Sequence, residues 1–245
     1  MNKNIEIISL IYKSIGYLNL IYSQLKSDNC KVEGWNVGVR LVLNDATNEI
    51  IDEIKKLDID YTIYNDKTID DYYLNRVYRC WNFGGVTSKY DNICFINSDM
   101  VFSKNWLTNL LKHHNGINIP TSRLVESGKL GTAPDRHGII QNFGKTFNDI
   151  NYLGFEEYAE KISQDKVEYS GLLMPVIFEK KRFIESGKYP EGNIYATGIG
   201  KFGDTLISPG DIYYFDKLQK EYGMTHITVF DSIVYHIQEG EKDEK

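Results

Sequence analysis

The sequence is poor in several things that would place it quickly. It has three cysteines in 245 residues, Cys30, Cys80 and Cys94, too few and too scattered for a disulfide framework or a cysteine-based zinc site. A reduced compartment is therefore expected. Basic residues are in deficit: 28 Lys and Arg stand against 34 Asp and Glu, a net charge of −6. A domain that grips nucleic acid neutralises phosphates with a basic excess, so charge disfavours a nucleic-acid acceptor or partner. Nor is there an apolar run of roughly eighteen residues, so no transmembrane helix is expected. The first apolar stretch, Ile5 to Tyr12, is interrupted by Glu6 and Ser9 and stopped by Lys13, with no small-residue cleavage site after it. Together these absences predict a cytoplasmic protein. Proline is scarce at five residues while tyrosine is abundant at 18; tyrosines fill cores and interfaces alike, so their number decides nothing.

What is present suits a folded enzyme-sized domain. Hydrophobic residues make up 42% and charged residues 25%, which excludes a disordered chain. A chain of this length buries roughly 70–75% of its unfolded surface. Ile5, Ile7, Ile8, Leu10 and Ile11 read as a buried strand, and Leu18, Ile21 and Leu25 follow at helical spacing. Val39 to Leu43 predicts a second strand and Ile50, Ile51, Ile54 and Leu57 a second helix. Tyr61 to Tyr64, a helix over Tyr72 to Trp81, and a strand over Asn92 to Ile96 complete the alternation. Strands alternating with helices call for a mostly parallel sheet covered on both faces. After Asp99 the pattern changes. A helix is expected around Trp106 to Leu111, a loop-rich stretch from Gly116 to Tyr152, and a strand over Leu172 to Phe178. A long connection then runs from Tyr189 to Gly210, followed by a helix with Phe215 and Leu218 and strand-like runs at Ile227–Phe230 and Ile233–Ile237. The expected organisation is a nucleotide-binding α/β half over 1–99, a mixed half over 100–238, and a charged tail over 239–245, without a linker.

In an open α/β sheet, ligands bind at the carboxyl ends of the strands. The polar residues expected there are Tyr12, Asn44 with Asp45, Asn65 with Asp66, and Asn97-Ser98-Asp99. Asn and Asp also end strands simply because they make turns. The last triplet is the sharpest candidate. Strand alternation would aim residues 97 and 99 to one side, where oxygen ligands suit a hard cation such as Mg²⁺ or Mn²⁺. His113 and His114, at a helix end, read as surface residues that compensate the helix dipole. For His137, in Asp135-Arg136-His137-Gly138, the expectation is a mobile loop near a diphosphate, with Arg136 as a cation. Lys180-Lys181-Arg182 reads as a solvated basic face.

In their order along the chain, these motifs resemble the GT-A-fold glycosyltransferases, in particular glycosyltransferase family 2. The resemblance rests on Ser9-Leu10-Ile11-Tyr12 after the first strand, Asn44-Asp45-Ala46-Thr47 after the second, and Arg79-Cys80-Trp81-Asn82-Phe83-Gly84 before the fourth. Asn97-Ser98-Asp99 matches the family's Asp-x-Asp metal motif, with Trp106-Leu107 after it. Gly171-Leu172-Leu173-Met174 and Phe183-Ile184-Glu185-Ser186-Gly187 look like the acceptor-side segment, and Gly210-Asp211 stands where the family has an acidic pair. Asn97 and Gly210 each replace the first acid of their motif.

The resemblance implies a GT-A-type, Rossmann-like mostly parallel sheet with a mixed acceptor-side half. It also implies a metal-dependent inverting transferase that moves a sugar from a nucleoside diphosphate sugar, a UDP-sugar first, to a glycan or other hydroxyl acceptor. Asp99 and His236 would hold Mn²⁺ or Mg²⁺; Ser9, Tyr12, Asn44, Asp45, Arg79, Asn82, Asn97 and Ser98 would contact the donor; Asp211 would be the base. Asp211 reads equally as an acid favoured at a helix N-terminus, and His236 as a polar residue ending an edge strand. Two alternatives stay open. One is a non-catalytic nucleotide-sugar-binding protein that kept the fold. The other is a nucleotidyltransferase, disfavoured because Tyr12-Lys13-Ser14-Ile15-Gly16 is no glycine-rich phosphate loop.

Overall fold

Short strands and amphipathic helices alternate through the first half of the computed structural model, which describes residues 3–66 and 72–238. The tail expected over 239–245 lies outside the described residues. Strand β1 (Asn4–Ile11) leads to helix α1 (Ile15–Lys26), β2 (Asn36–Asn44), α2 (Asn48–Ile54), β3 (Asp60–Tyr64), α3 (Tyr73–Thr87) and β4 (Asn92–Ile96). The helix starts follow local chemistry. The Ser14 hydroxyl accepts the Tyr17 N–H at 3.2 Å, and the Thr47 hydroxyl accepts that of Ile50 at 3.4 Å, each taking up a donor the helix leaves unmet. β1 pairs in parallel with β2 and β4, and β2 with β3. The charge that interrupts β1, Glu6, is buried against Arg40 of β2 with Oε2 2.8 Å from Nη2, so a charged residue sits in a central strand without being left unpaired.

The second half departs from its sequence reading in several places. Strand β5 (Met100–Phe102) and helix α4 (Trp106–Lys112) come first. Then the stretch read as loop-rich contains β6 (Asn118–Glu126), a nine-residue strand inside the main sheet. Its pattern hid it because Thr121 and Ser122 are fully buried. The Thr121 hydroxyl bonds the Ile227 carbonyl and the His226 ring, and Ser122 bonds Ser232, so these polar groups are satisfied in the core. Beyond β7 (Ile139–Ile140) lies an unexpected helix, α5 (Tyr152–Ile162), and then β8 (Val167–Tyr169). The strand expected from Leu172 starts only at Val176, as β9 (Val176–Glu179), since Pro175 has no N–H for the ladder. After α6 (Lys180–Glu185), the long connection folds its own small sheet, β10 (Ile194–Tyr195), β11 (Gly198–Ile199) and β12 (Leu206–Ser208). Helix α7 (Gly210–Tyr222) follows, and the two C-terminal runs are one strand, β13 (Thr225–His236), with its register shifted between Val229 and Ile233.

The main sheet runs β3-β2-β1-β4-β9-β6-β13-β5, parallel except where β9, β5 and β8 pair antiparallel. One sheet thus spans both halves. Alternate residues of β13 serve different cores: Val234 belongs to the large one with β1, β4 and α4, whereas Ile233 and Tyr235 join Phe155 and Ala159 of α5. Successive strand side chains face opposite ways, so the two cores lie on opposite faces. His114 is a further correction. It is buried rather than on the surface, with Nε2 2.8 Å from Asn92 Oδ1, and burial pushes its pKa down to about 4. No helix among the described residues is long and apolar enough to cross a membrane.

Candidate active site

The carboxyl ends of β1, β2 and β4 and the end of β13 open onto one cleft of about 310 Å³, a size suited to a small-molecule ligand. Seven of the residues singled out in the sequence line it: Tyr12, Asn44, Asn97, Ser98, Asp99, Asp211 and His236. β4 ends at Ile96, so residues 97–99 form a turn rather than continuing the strand, and all three reach the cleft instead of alternating. Asn44 is nearly buried there, and its Oδ1 has no hydrogen-bond partner among the described residues.

Asp99 is held by the strands around it. Its carbonyl accepts the Ile237 N–H at 3.0 Å, and its neighbour Met100 stands opposite His236 in the β5–β13 pairing. This brings His236 Nε2 to 3.4 Å from Asp99 Oδ1. The other ring nitrogen, Nδ1, lies 3.2 Å from Oε1 of Glu126, the last residue of β6, which pairs with His236 in register. Burial alone would lower the imidazole pKa, but the Asp99 and Glu126 carboxylates outweigh it and push it up to about 10. Two buried carboxylates thus favour the protonated ring. Among the described residues no three acidic, imidazole or thiol groups close into a complete metal cage. One carboxylate and one imidazole side by side nevertheless fit Mn²⁺, provided a ligand's phosphates complete its shell.

Asp211 lies in the first turn of α7, placed by a chain of hydrogen bonds. Asn193 Oδ1 accepts from the Gly210 N–H at 2.9 Å and from the Tyr78 hydroxyl at 3.3 Å; the Tyr78 oxygen in turn accepts the Asp211 N–H at 3.3 Å. Burial raises the Asp211 pKa, partly offset by its bond from the Ile212 N–H and by the charge of Arg136. A more basic carboxylate is a better proton acceptor. The glycine before it has a packing cause. A Cβ on Gly210 would stand 2.7 Å from the Gly192 carbonyl oxygen and 2.8 Å from the Tyr78 ring.

Four expected donor contacts are not gathered here. Ser9 is fully buried within β1, its hydroxyl without a partner among the described residues. Asp45, with φ of 50°, closes the β2–β3 edge through Oδ1, which accepts the Asp66 N–H at 2.7 Å. Arg79 binds Asp66, and Asn82 brackets the Tyr189 backbone, donating to its carbonyl at 2.8 Å and accepting its N–H at 3.0 Å. Both lie on a separate cleft. The helical period explains it: Tyr73, Leu74, Val77, Tyr78 and Trp81 form the face of α3 that lines the main cleft, and 79 and 82 point off it. Sequence reasoning missed Glu126, Tyr78, Trp81, Leu130 and Gln238. Glu126 closes β6, a strand the sequence pattern hid, so only the register with β13 brings it to His236. His137, for its part, bonds the Tyr169 carbonyl and packs on Phe230, away from the cleft lining.

No protein-family model and no curated protein matches the sequence. Solved structures do match in fold. One is GalNAc-T7 with UDP, GalNAc and Mn²⁺, at a TM-score of 0.60 and 9% identity over 96% of this chain and 44% of that one. Another is the mannosyltransferase PcManGT from Pyrobaculum calidifontis with GDP-Man and Mn²⁺, at 0.55 and 12% over 97% and 57%. The chain therefore spans about half the length of these proteins, and it has the GT-A-type fold they share.

Proposed function

We propose that the chain is a metal-dependent glycosyltransferase that moves a sugar, with inversion, from a nucleoside diphosphate sugar to a hydroxyl acceptor. A UDP-sugar is the first choice of donor and a glycan the first choice of acceptor. The observation that carries this is one cleft, on a GT-A-type sheet, lined by Asp99 beside His236 and by Asp211, whose pKa burial raises. Both fold neighbours hold Mn²⁺ with a nucleotide or nucleotide sugar, which supports the same chemistry for this cleft.

In this reading Asp99 and His236 hold the cation, and Asn97 and Ser98 line the donor side. Asn44 offers its unpartnered oxygen to a donor N–H or hydroxyl of the nucleoside, and Tyr12 flanks it. Held there, a divalent ion would supply Lewis acidity toward the charge on the departing diphosphate. Asp211 takes the proton of the attacking acceptor hydroxyl on the opposite face of the sugar, while the aromatic wall of α3 excludes water. Asn97 lowers the anionic charge of the metal side compared with two acids, so a cation held by Asp99 and His236 would depend more on the donor's phosphates.

A panel of UDP- and GDP-sugars incubated with Mn²⁺ or with EDTA tests this through nucleoside diphosphate release. Mn²⁺-dependent release from one donor, lost in Asp99→Ala, is expected. Tight Mn²⁺–nucleotide binding without turnover of any donor or acceptor would favour a binding protein instead.

A further inference from the structure

Glu126 lies under the candidate metal ligand in a position that the motif order does not account for. It closes β6, where residue 126 pairs in parallel register with His236 of β13, and the Ser127 N–H donates to the His236 carbonyl at 3.1 Å. The backbone therefore fixes the two side chains against each other. The Glu126 side chain is only 7% exposed, Oε1 lies 3.2 Å from His236 Nδ1, and Oε2 has no partner among the described residues. His236 Nε2 faces the other way, 3.4 Å from Asp99 Oδ1.

A carboxylate only accepts hydrogen bonds, so the nitrogen facing it carries the proton. Nε2 faces Asp99 in the same way, but a cation held beside Asp99 would take the place of the Nε2 proton, so the proton facing Glu126 would stay on Nδ1 and the lone pair would be presented at Nε2. Histidines that ligate metals are typically held this way by an outer carboxylate, which fixes ring orientation and raises ligand basicity.

Building on the metal reading above, we infer that Glu126 is a positioning residue that locks His236 in the Nδ1–H form and aims Nε2 at the cation beside Asp99. It touches neither donor nor acceptor; it acts through the ring.

The test is Mn²⁺ binding to the full chain in the presence of UDP and, in parallel, GDP. It is read by loss of the free-Mn²⁺ electron paramagnetic resonance signal and by pulsed detection of ¹⁴N coupling from a coordinated imidazole. The wild type is expected to bind Mn²⁺ with ¹⁴N coupling that disappears in His236→Ala. Glu126→Ala should weaken Mn²⁺ by about 10–100-fold. Glu126→Gln keeps an oxygen able to accept from Nδ1–H and should recover most of the affinity and the ¹⁴N coupling. That rescue separates orientation from a merely structural role, and the conservative variant serves if the alanine variant does not fold. Unchanged Mn²⁺ affinity in Glu126→Ala, while Asp99→Ala loses it, overturns the inference and leaves the metal reading standing. A glutamine variant as weak as alanine also overturns it, since charge rather than the hydrogen bond would then matter. Wild-type protein that binds no Mn²⁺ with either nucleotide overturns the metal reading itself, and this inference with it.

Discussion

Replacing Gly210 with alanine isolates why a glycine precedes the candidate base. Two effects compete. Gly210 is the first residue of α7 and its φ is not in the left-handed region, so alanine fits the backbone and improves helix propensity by at most about 1 kcal/mol. Against that, the added Cβ meets the Gly192 carbonyl oxygen at 2.7 Å, Tyr78 Cε2 at 2.8 Å and Pro190 Cγ at 3.1 Å. The carbonyl is backbone and cannot swing aside like a side-chain tip, and Tyr78 is itself bonded to Asn193. Overpacking of this kind costs about 1–3 kcal/mol, so the net loss is centred on about 1.5 kcal/mol. For a domain of this size each kcal/mol lowers Tm by roughly 2–4 °C, so a fall of about 3–6 °C is expected in a thermal melt. Because the same shift displaces the Tyr78 hydroxyl that receives the Asp211 N–H, turnover should fall as well. Gly210→Asp, which would create an acidic pair, should be at least as damaging. An unchanged or higher Tm for Gly210→Ala, or a rise in turnover for Gly210→Asp, would refute the packing argument.

Other expectations follow from the same structure. Asp211→Asn should leave Mn²⁺–nucleotide binding intact and slow transfer by about 10²–10⁴-fold, measured as single-turnover rates; normal rates would remove Asp211 from the base role. Its burial-raised pKa places the acidic limb of the wild-type rate profile above the ordinary Asp range, activity falling as pH drops through it. Arg40→Met leaves Glu6 buried without its partner and should cost about 3–5 kcal/mol in urea unfolding, whereas replacing both residues with apolar ones should recover much of it. The two shifted histidines act on stability in opposite pH windows. His114, pushed down to about 4, makes metal-free protein lose stability as pH falls from 6.5 toward 4, because the unfolded chain binds the proton first. His236, pushed up to about 10, contributes stability that is complete below 6.5 and lost as pH rises toward 10. Urea midpoints equal at pH 5, 7 and 9.5 would contradict both assignments.

Local sequence decided the parts of this protein whose cause is local. Alternating runs of Ile, Val and Leu with amphipathic spacing are enough to specify β1 to β4 and their helices, because a strand buried on both faces must be apolar throughout. The polar tips of those strands could be read for the same reason, and Asn97-Ser98-Asp99 could be placed at the sheet's edge without coordinates. Whatever depends on partners distant in the chain was decided only by packing. β6 is polar at Thr121 and Ser122, and only His226, Ile227 and Ser232, more than a hundred residues away, make those positions tolerable in a core. Arg79 and Asn82 stand in the expected order but on a face of α3 that lines a different cleft, which order alone does not reveal. Glu126 meets His236 through strand register, and Gly210 is a glycine because of a carbonyl from another loop. Hydrophobic period is written residue by residue along the chain; the company a side chain keeps is set by which strands end up adjacent, and that is a property of the folded sheet.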